Sequence, residues 1–152
     1  MPLIKAMFPN AKIIHAKRHP IDMLWSSFKI FFNGDDNYIY NLIESASHYN
    51  LYRELTDHWH DLMGDDVLSV DHEKLTANPK EEISRILNYC DLDWSDKCLN
   101  FHKEVKTVKT ASFEQVRNPI THKERMAWQD YEPYLGDLID NIKPSYMEEY
   151  DV

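Results

Sequence analysis

Lys12–Ser26 reads KIIHAKRHPIDMLWS, and the fold of the chain follows from this stretch. Ile13 and Ile14 open a short apolar run that ends in a basic pair, Lys17-Arg18. Pro20 follows, then an amphipathic segment carrying Asp22 and Ser26. The order is strand, basic turn, helix. In open α/β sheets ligands bind beyond the carboxyl ends of the strands. Arg18 therefore falls where a ligand would sit, and Ser26 falls on the second turn of the helix. A guanidinium offers a planar fork of donors that matches a phosphate. A helix N-terminus beside it adds free N–H groups and the positive end of a dipole. The segment has the chemistry of an anion holder.

Outward from this stretch, the pattern predicts a strand at about 11–16, a helix at about 20–32 and a long helix at about 38–61. In the long helix Leu42, Ala46, Tyr49, Leu51, Leu55 and Trp59 lie near helical spacing. FNGDDN (32–37) and MGDD (63–66) read as turns. VLSV (67–70) is a second short strand, after which Asp71 caps a short turn. Asn78 is placed as the N-cap of a helix with Pro79 at its first position, carrying Ile83, Ile86 and Leu87. Residues 95–105 read as helical. Ser112 and Gln115 form a capping-box pair at the head of another short helix. A last helix is expected at about 131–142, with the tail 143–152 frayed. Short apolar strands among helices imply an α/β fold with a parallel sheet, in one domain over 1–152.

Composition narrows the function classes. Of the 152 residues 43% are hydrophobic, with four Trp, nine Tyr and six Phe, enough for a packed core and against disorder. The formal net charge of −9 argues against a nonspecific nucleic-acid binder, although a few focused cations can still hold a nucleotide. No apolar run approaches the ~20 residues needed to span a bilayer, and the first residues lack the apolar core of a secretory signal. Cys90 and Cys98 form no CxxC pair and fit buried or free thiols as easily as a disulfide, so the redox compartment stays open, with a reducing cytoplasm as the default expectation. His58 and His60, with Asp57 and Asp61, are two apart on a helix and face different ways. They read as polar flanks of Trp59 rather than a metal pair, and no metal is expected.

An Arg, a Pro two residues on, an Asp, and a Ser eight residues after the Arg resemble the 3′-phosphate-binding segment of sulfotransferases. These enzymes use 3′-phosphoadenosine 5′-phosphosulfate (PAPS). FPNAKIIHAKRHPIDMLWS (8–26) is similar to that family's strand-and-helix block, and VLSVDHEKLTANP (67–79) resembles its "V-x-Y-E-x-L-x-x-x-P" block. TASFEQVRNPI (110–120), followed by Trp128 and Tyr131, is similar to its C-terminal nucleotide-covering block. The nearest flavour is the bacterial, tetratricopeptide-linked group related to protein-tyrosine sulfotransferases. The match runs in order over about residues 3–140.

The resemblance implies a P-loop-NTPase-like α/β fold and transfer of a sulfonate from PAPS to a hydroxyl or amine acceptor, with release of 3′,5′-ADP (PAP). No metal is required. It gives Arg18, Ser26 and Arg117 to the 3′-phosphate, His72 to the adenine side and Ser112 to the phosphates or the transferring group. Bland readings stand beside these. Arg18 could pair with a neighbouring carboxylate, Ser26 could bond back to a helix carbonyl, and Ser112 could be only a cap. Asp22 suits the first helical turn electrostatically, Lys17 reads as solvated, and Trp128 and Tyr131 read as core.

The chain also departs from the family pattern. His72 stands where the family often has Tyr. Ala127 stands where a basic residue precedes the Trp, leaving Arg125 or Lys123 to reach the phosphate. The Lys-bearing 5′-phosphosulfate loop and the catalytic His or Glu have no counterpart, and no GxxxxGK[ST] occurs. The sequence thus reads as the C-terminal part of such a domain. A PAP-binding or interaction remnant without catalysis is the alternative. The partners implied are the nucleotide and an acceptor of unread identity. An open sheet edge further implies self-association.

Overall fold

The computed structural model describes residues 2–30, 37–103, 117–122 and 126–150. The chain forms two compact units. One holds Met1–Pro9, Arg18–Gly64 and Glu124–Val152, and the other holds Asn10–Lys17 and Asp65–Lys123. The described residues are mostly helical, with a short sheet of two parallel strands.

The sheet lies in the second unit. Strand β1 (Ile13–Lys17) pairs with β2 (Val67–Asp71), in a register that sets Ile13 opposite Val67 and Lys17 opposite Asp71. β-branched residues at 13, 14, 67 and 70 favour this pleated geometry. Val67, Val70 and His15 are buried, whereas Ile14 is exposed. Tyr89 ties the starting ends of the strands together. Its hydroxyl accepts from the Ile13 N–H at 3.2 Å and donates to the Asp66 carbonyl at 2.6 Å.

With helices numbered from Pro2–Met7 as α1, β2 runs directly into α4 (His72–Ala77), and α5 (Pro79–Tyr89) follows. Asp71 and Asn78 hold the expected N-cap positions, but neither side chain makes a capping bond. The Asp71 carboxylate is instead engaged by Lys17 at 3.6 Å and Lys74 at 3.5 Å. Arg85 of α5 donates to the Ser69 carbonyl at 2.9 Å, which fastens that helix to β2. Beyond α5, the described part of the expected helix at 95–105 holds two single 3-10 turns, Asp96–Cys98 and Phe101–Lys103.

The first unit contains α1, α2 (Pro20–Phe28), α3 (Leu42–Met63), α6 (Gly136–Ile139) and α7 (Pro144–Glu148). Asn41 caps α3, its side chain accepting from the N–H groups of Ile43 at 3.0 Å and Glu44 at 3.1 Å. Gly64, with φ of 51°, ends it in a conformation that a side chain disfavours. The core gathers Ile21 of α2, Ala46 and Tyr49 of α3, Leu135, Leu138, Ile142 and Tyr146. Among the described residues no helix is long and apolar enough to cross a membrane.

The phase of α3 departs from expectation. Leu51 and Leu55 are exposed, and the buried face is Ser45, Ala46, Tyr49, Arg53 and Thr56. Arg53 is the cause. Its guanidinium is buried but compensated by Glu149, by Asp57 at 3.4 Å and by the Tyr49 hydroxyl at 3.4 Å, and it lies 4.6 Å from the Tyr146 ring centre. Burial alone would lower its pKa, yet its bonds to Glu149 and Tyr49 leave it raised. A buried charge is tolerable only when paired in this way. The pairing also explains why Pro144–Glu148, expected to fray, is helical. Asn50 helps to dock the approach to α7, donating to the Asn141 carbonyl at 2.8 Å and accepting from the Lys143 N–H at 3.0 Å.

Two predictions follow from these contacts. Tyr89→Phe removes two hydrogen bonds at the strand starts and should cost about 1–2 kcal/mol in urea unfolding. Burial raises the Tyr49 pKa above 10.0, so the unfolded chain loses that proton first as pH rises. The contribution of Tyr49 is therefore whole below pH 10.0 and is lost as pH climbs through the folded-state value. Tyr49→Phe should flatten the alkaline fall in stability, read by unfolding curves at pH about 9 and about 11.

Candidate functional site

Arg18 is the residue after β1, and His19 is the N-cap residue of α2. Pro20 sits at the first helical position, where its missing N–H leaves no bond unmade. Pro20, Ile21 and Asp22 are all buried, which anchors this helix end in the first unit. Arg18 runs along the first turn and its Nη2 donates to Asp22 Oδ2. The Asp22 side chain is 6% exposed and that of Arg18 38%, so the guanidinium still reaches solvent. Asp22 uses one nitrogen of the fork only. Arg18 Nε is buried and has no hydrogen-bond partner among the described residues, and the same holds for Asp22 Oδ1.

Ser26 is one turn further along the face that carries Asp22. Its neighbour Ser27 donates to the Met23 carbonyl at 3.0 Å, the ordinary use of a helical serine. Ser26 is half-buried, and its hydroxyl has no hydrogen-bond partner among the described residues. Arg18, Asp22 and Ser26 thus form a row on α2 in which the first two are paired and the third keeps a donor unspent. His19 beside them is buried and stacks on Trp128, ring centres 5.3 Å apart. Trp128 packs against the core, as expected. Its indole Nε1 is a buried donor without a partner among the described residues. Tyr131, expected in the core, is 44% exposed and packs obliquely against Trp25 at 4.9 Å, because it links two 3-10 turns at the surface.

In the second unit, Lys17 is not the solvated lysine expected. Its side chain is 20% exposed and pairs with Asp71 across the sheet. His72 opens α4 and is exposed. Arg117 is likewise exposed, at the head of segment 117–122. That segment touches α4 through His122 Nδ1 and the Thr76 hydroxyl, 3.2 Å apart. Ser112, Lys123 and Arg125 lie outside the described residues. The structure thus joins Arg18 with Asp22 on the α2 face that bears Ser26, and brings the Arg117 segment to α4. Arg53 escaped the sequence reading. Its only signal was helical spacing to Tyr49 and Asp57, four residues to either side.

With this geometry in view, the sequence can be set against known proteins. The profile of the sulfotransferase family matches residues 1–96. An uncharacterized protein of Aquifex aeolicus (strain VF5) is 34% identical over 149 residues, covering 96% of this chain and 20% of its own length. A Caenorhabditis briggsae protein bearing the provisional name protein-tyrosine sulfotransferase is 34% identical over 68 residues, covering 41% of this chain and 24% of its own. The chain therefore belongs to the sulfotransferase family. It spans about a fifth to a quarter of the length of these two relatives.

The row on α2 separates structural from binding roles. Asp22→Ala leaves Arg18 half-buried without its carboxylate and should cost about 2 kcal/mol. Ser26→Ala removes a hydroxyl with no partner among the described residues and should stay within about 0.5 kcal/mol of the parent chain. Thermal and urea unfolding of both variants check the contrast.

Proposed function

We propose that this chain is part of a PAPS-dependent sulfotransferase and that Arg18 and Ser26 hold the 3′-phosphate of the nucleotide. The observation that carries the reading is the α2 row. It offers a guanidinium fork with one nitrogen spent on Asp22 and a serine hydroxyl with no partner among the described residues, in a segment matched by the family. The phosphomonoester carries close to two negative charges at neutral pH. The remaining donors of Arg18, the Ser26 hydroxyl and the N-terminal dipole of α2 supply complementary charge and hydrogen bonds. Asp22 would act as the orienting partner, holding the fork against the first turn. His72, Arg117, Ser112 and Arg125 are proposed as nucleotide contacts on the family resemblance alone.

In the reaction proposed, an acceptor oxygen or nitrogen attacks the sulfur of PAPS in line. A new S–O or S–N bond forms, the bond from sulfur to the 5′-phosphate oxygen breaks, and PAP leaves. The acceptor proton passes to a base that the residues named here do not include. Arg18 and Ser26 contribute positioning, which lowers the barrier by holding the donor in line. They also distinguish PAPS from ATP, which has no 3′-phosphate. The alternative is a PAP-binding remnant without catalysis. The name of the Caenorhabditis briggsae relative supports protein tyrosine as one acceptor class to screen.

Calorimetric titration tests the reading. PAP should bind and 5′-AMP should bind much more weakly. Arg18→Ala should weaken PAP by about 10- to 100-fold, the range for one charge-assisted contact. Transfer of the labelled sulfonate from PAPS to an acceptor then separates enzyme from remnant. A folded chain that ignores PAP would rule out both.

A further inference from the structure

We infer that the C-terminal helix α7 supports the nucleotide site: Tyr150 and Trp128 clamp the ring of His19, and this clamp sets the place of Arg18 for the 3′-phosphate. The inference rests on the nucleotide reading above and adds to it two positioning residues, Tyr150 and Glu149. Every residue it uses lies in the first unit. His19 fills the N-cap position of α2, yet its side chain makes no capping bond. The residues common at this position hold it through a side-chain oxygen. Here the buried ring holds it instead. The ring stacks on Trp128, centres 5.3 Å apart and planes 18° apart. Tyr150 meets it edge-on, at 5.4 Å and 63°. The His19 carbonyl accepts from the Met23 N–H at 3.0 Å, so the clamped residue also makes the first bond of the helix.

Both sides of the clamp are anchored. The Tyr150 N–H donates to the Met147 carbonyl at 2.9 Å, which continues the last turn of α7. Glu149, the residue before it, is the carboxylate partner of the buried Arg53. Undocking α7 would strand that guanidinium, a costly loss for a fold. Tyr146 of the same helix adds its ring, 4.6 Å from the guanidinium. On the other side Trp128 packs against the core, and its carbonyl accepts from the Tyr131 N–H at 2.8 Å. Arg18 is the neighbour of His19 in sequence, one Cα step of about 3.8 Å away. A fixed His19 thus fixes the point from which the Arg18 side chain leaves, and Asp22 receives its Nη2. A site shaped before the ligand arrives loses less freedom on binding. The benefit falls on the 3′-phosphate, the group that Arg18 holds. Neither Tyr150 nor Glu149 touches the nucleotide in this account.

The experiment titrates PAP and 5′-AMP into the full chain, Y150L, Y150F, E149Q and the Y150L/E149Q double variant, each below its own thermal transition. Y150L keeps apolar bulk but loses the aromatic edge, Y150F keeps the ring, and E149Q removes the charge that pins α7 while leaving Arg53 an amide oxygen. Y150L should weaken PAP by about three- to tenfold, the worth of one aromatic pair, and leave 5′-AMP unchanged. Y150F should bind PAP like the parent chain. E149Q should weaken PAP in the same direction, and adding it to Y150L should bring no further loss. Amide hydrogen exchange at Ile21 and Asp22 should quicken in Y150L and not in Y150F. If the parent chain discriminates PAP from AMP and Y150L matches it, the clamp is refuted and the nucleotide reading stands. If Y150L weakens PAP and AMP equally, or Y150F binds PAP as poorly as Y150L, the inference is wrong. If the parent chain binds no PAP, the nucleotide reading falls and the inference falls with it.

Discussion

The parallel pairing of β1 with β2 is the constraint on which the rest depends. A two-stranded parallel ladder is weak by itself, and this one is held at its start by the Tyr89 hydroxyl and at its end by Lys17 opposite Asp71. The register ends both strands at the same step. The chain then passes to Arg18 after one strand and to His72 after the other. Each residue follows the carboxyl end of its own strand. A slip of one residue would move both hand-over points.

Arg18 shows how a bland reading and a functional one can hold together. Its ion pair with Asp22 is what a structural arginine makes. Yet a guanidinium has five N–H donors in a fixed fork, and the pair with Asp22 engages Nη2. A buried carboxylate beside the site reduces the local positive charge, which matters in a chain of net charge −9. The same carboxylate fixes the plane of the fork, which Lys could not present. The Arg18 side chain is still partly exposed, which leaves fork donors other than the one on Asp22 for a phosphate. Ser26 and Ser27 make the complementary point, since one side chain is consumed by the helix and its neighbour is not.

Much of this was legible in the sequence, and the rest was hidden for physical reasons. The strand, basic turn and helix of 12–26 could be read because local periodicity and Pro20 dictate them. The parallel sheet could be read from two short β-branched runs among helices. The phase of α3 could not, because the buried Arg53 finds its carboxylate 96 residues away in Glu149. Without that partner a helix with Leu51 and Leu55 inward is the better guess, and a tail of mixed polarity looks free to fray. Tyr131 was misplaced because aromatic character speaks for burial, whereas its position between two 3-10 turns puts it at the surface. The bond between Thr76 and His122 joins segments whose proximity only the tertiary structure reveals. Ser26 was singled out by family spacing, and nothing in the sequence alone distinguished it from Ser27.

The most direct test of the central claim is a crystal structure of the chain soaked or co-crystallised with PAP. The account predicts the 3′-phosphate at the N-terminal end of α2, with Arg18 nitrogens and Ser26 Oγ within about 3 Å of its oxygens and Asp22 still bracing the fork. PAP ordered elsewhere, with Arg18 bonded only to Asp22 and Ser26 facing solvent, would contradict it.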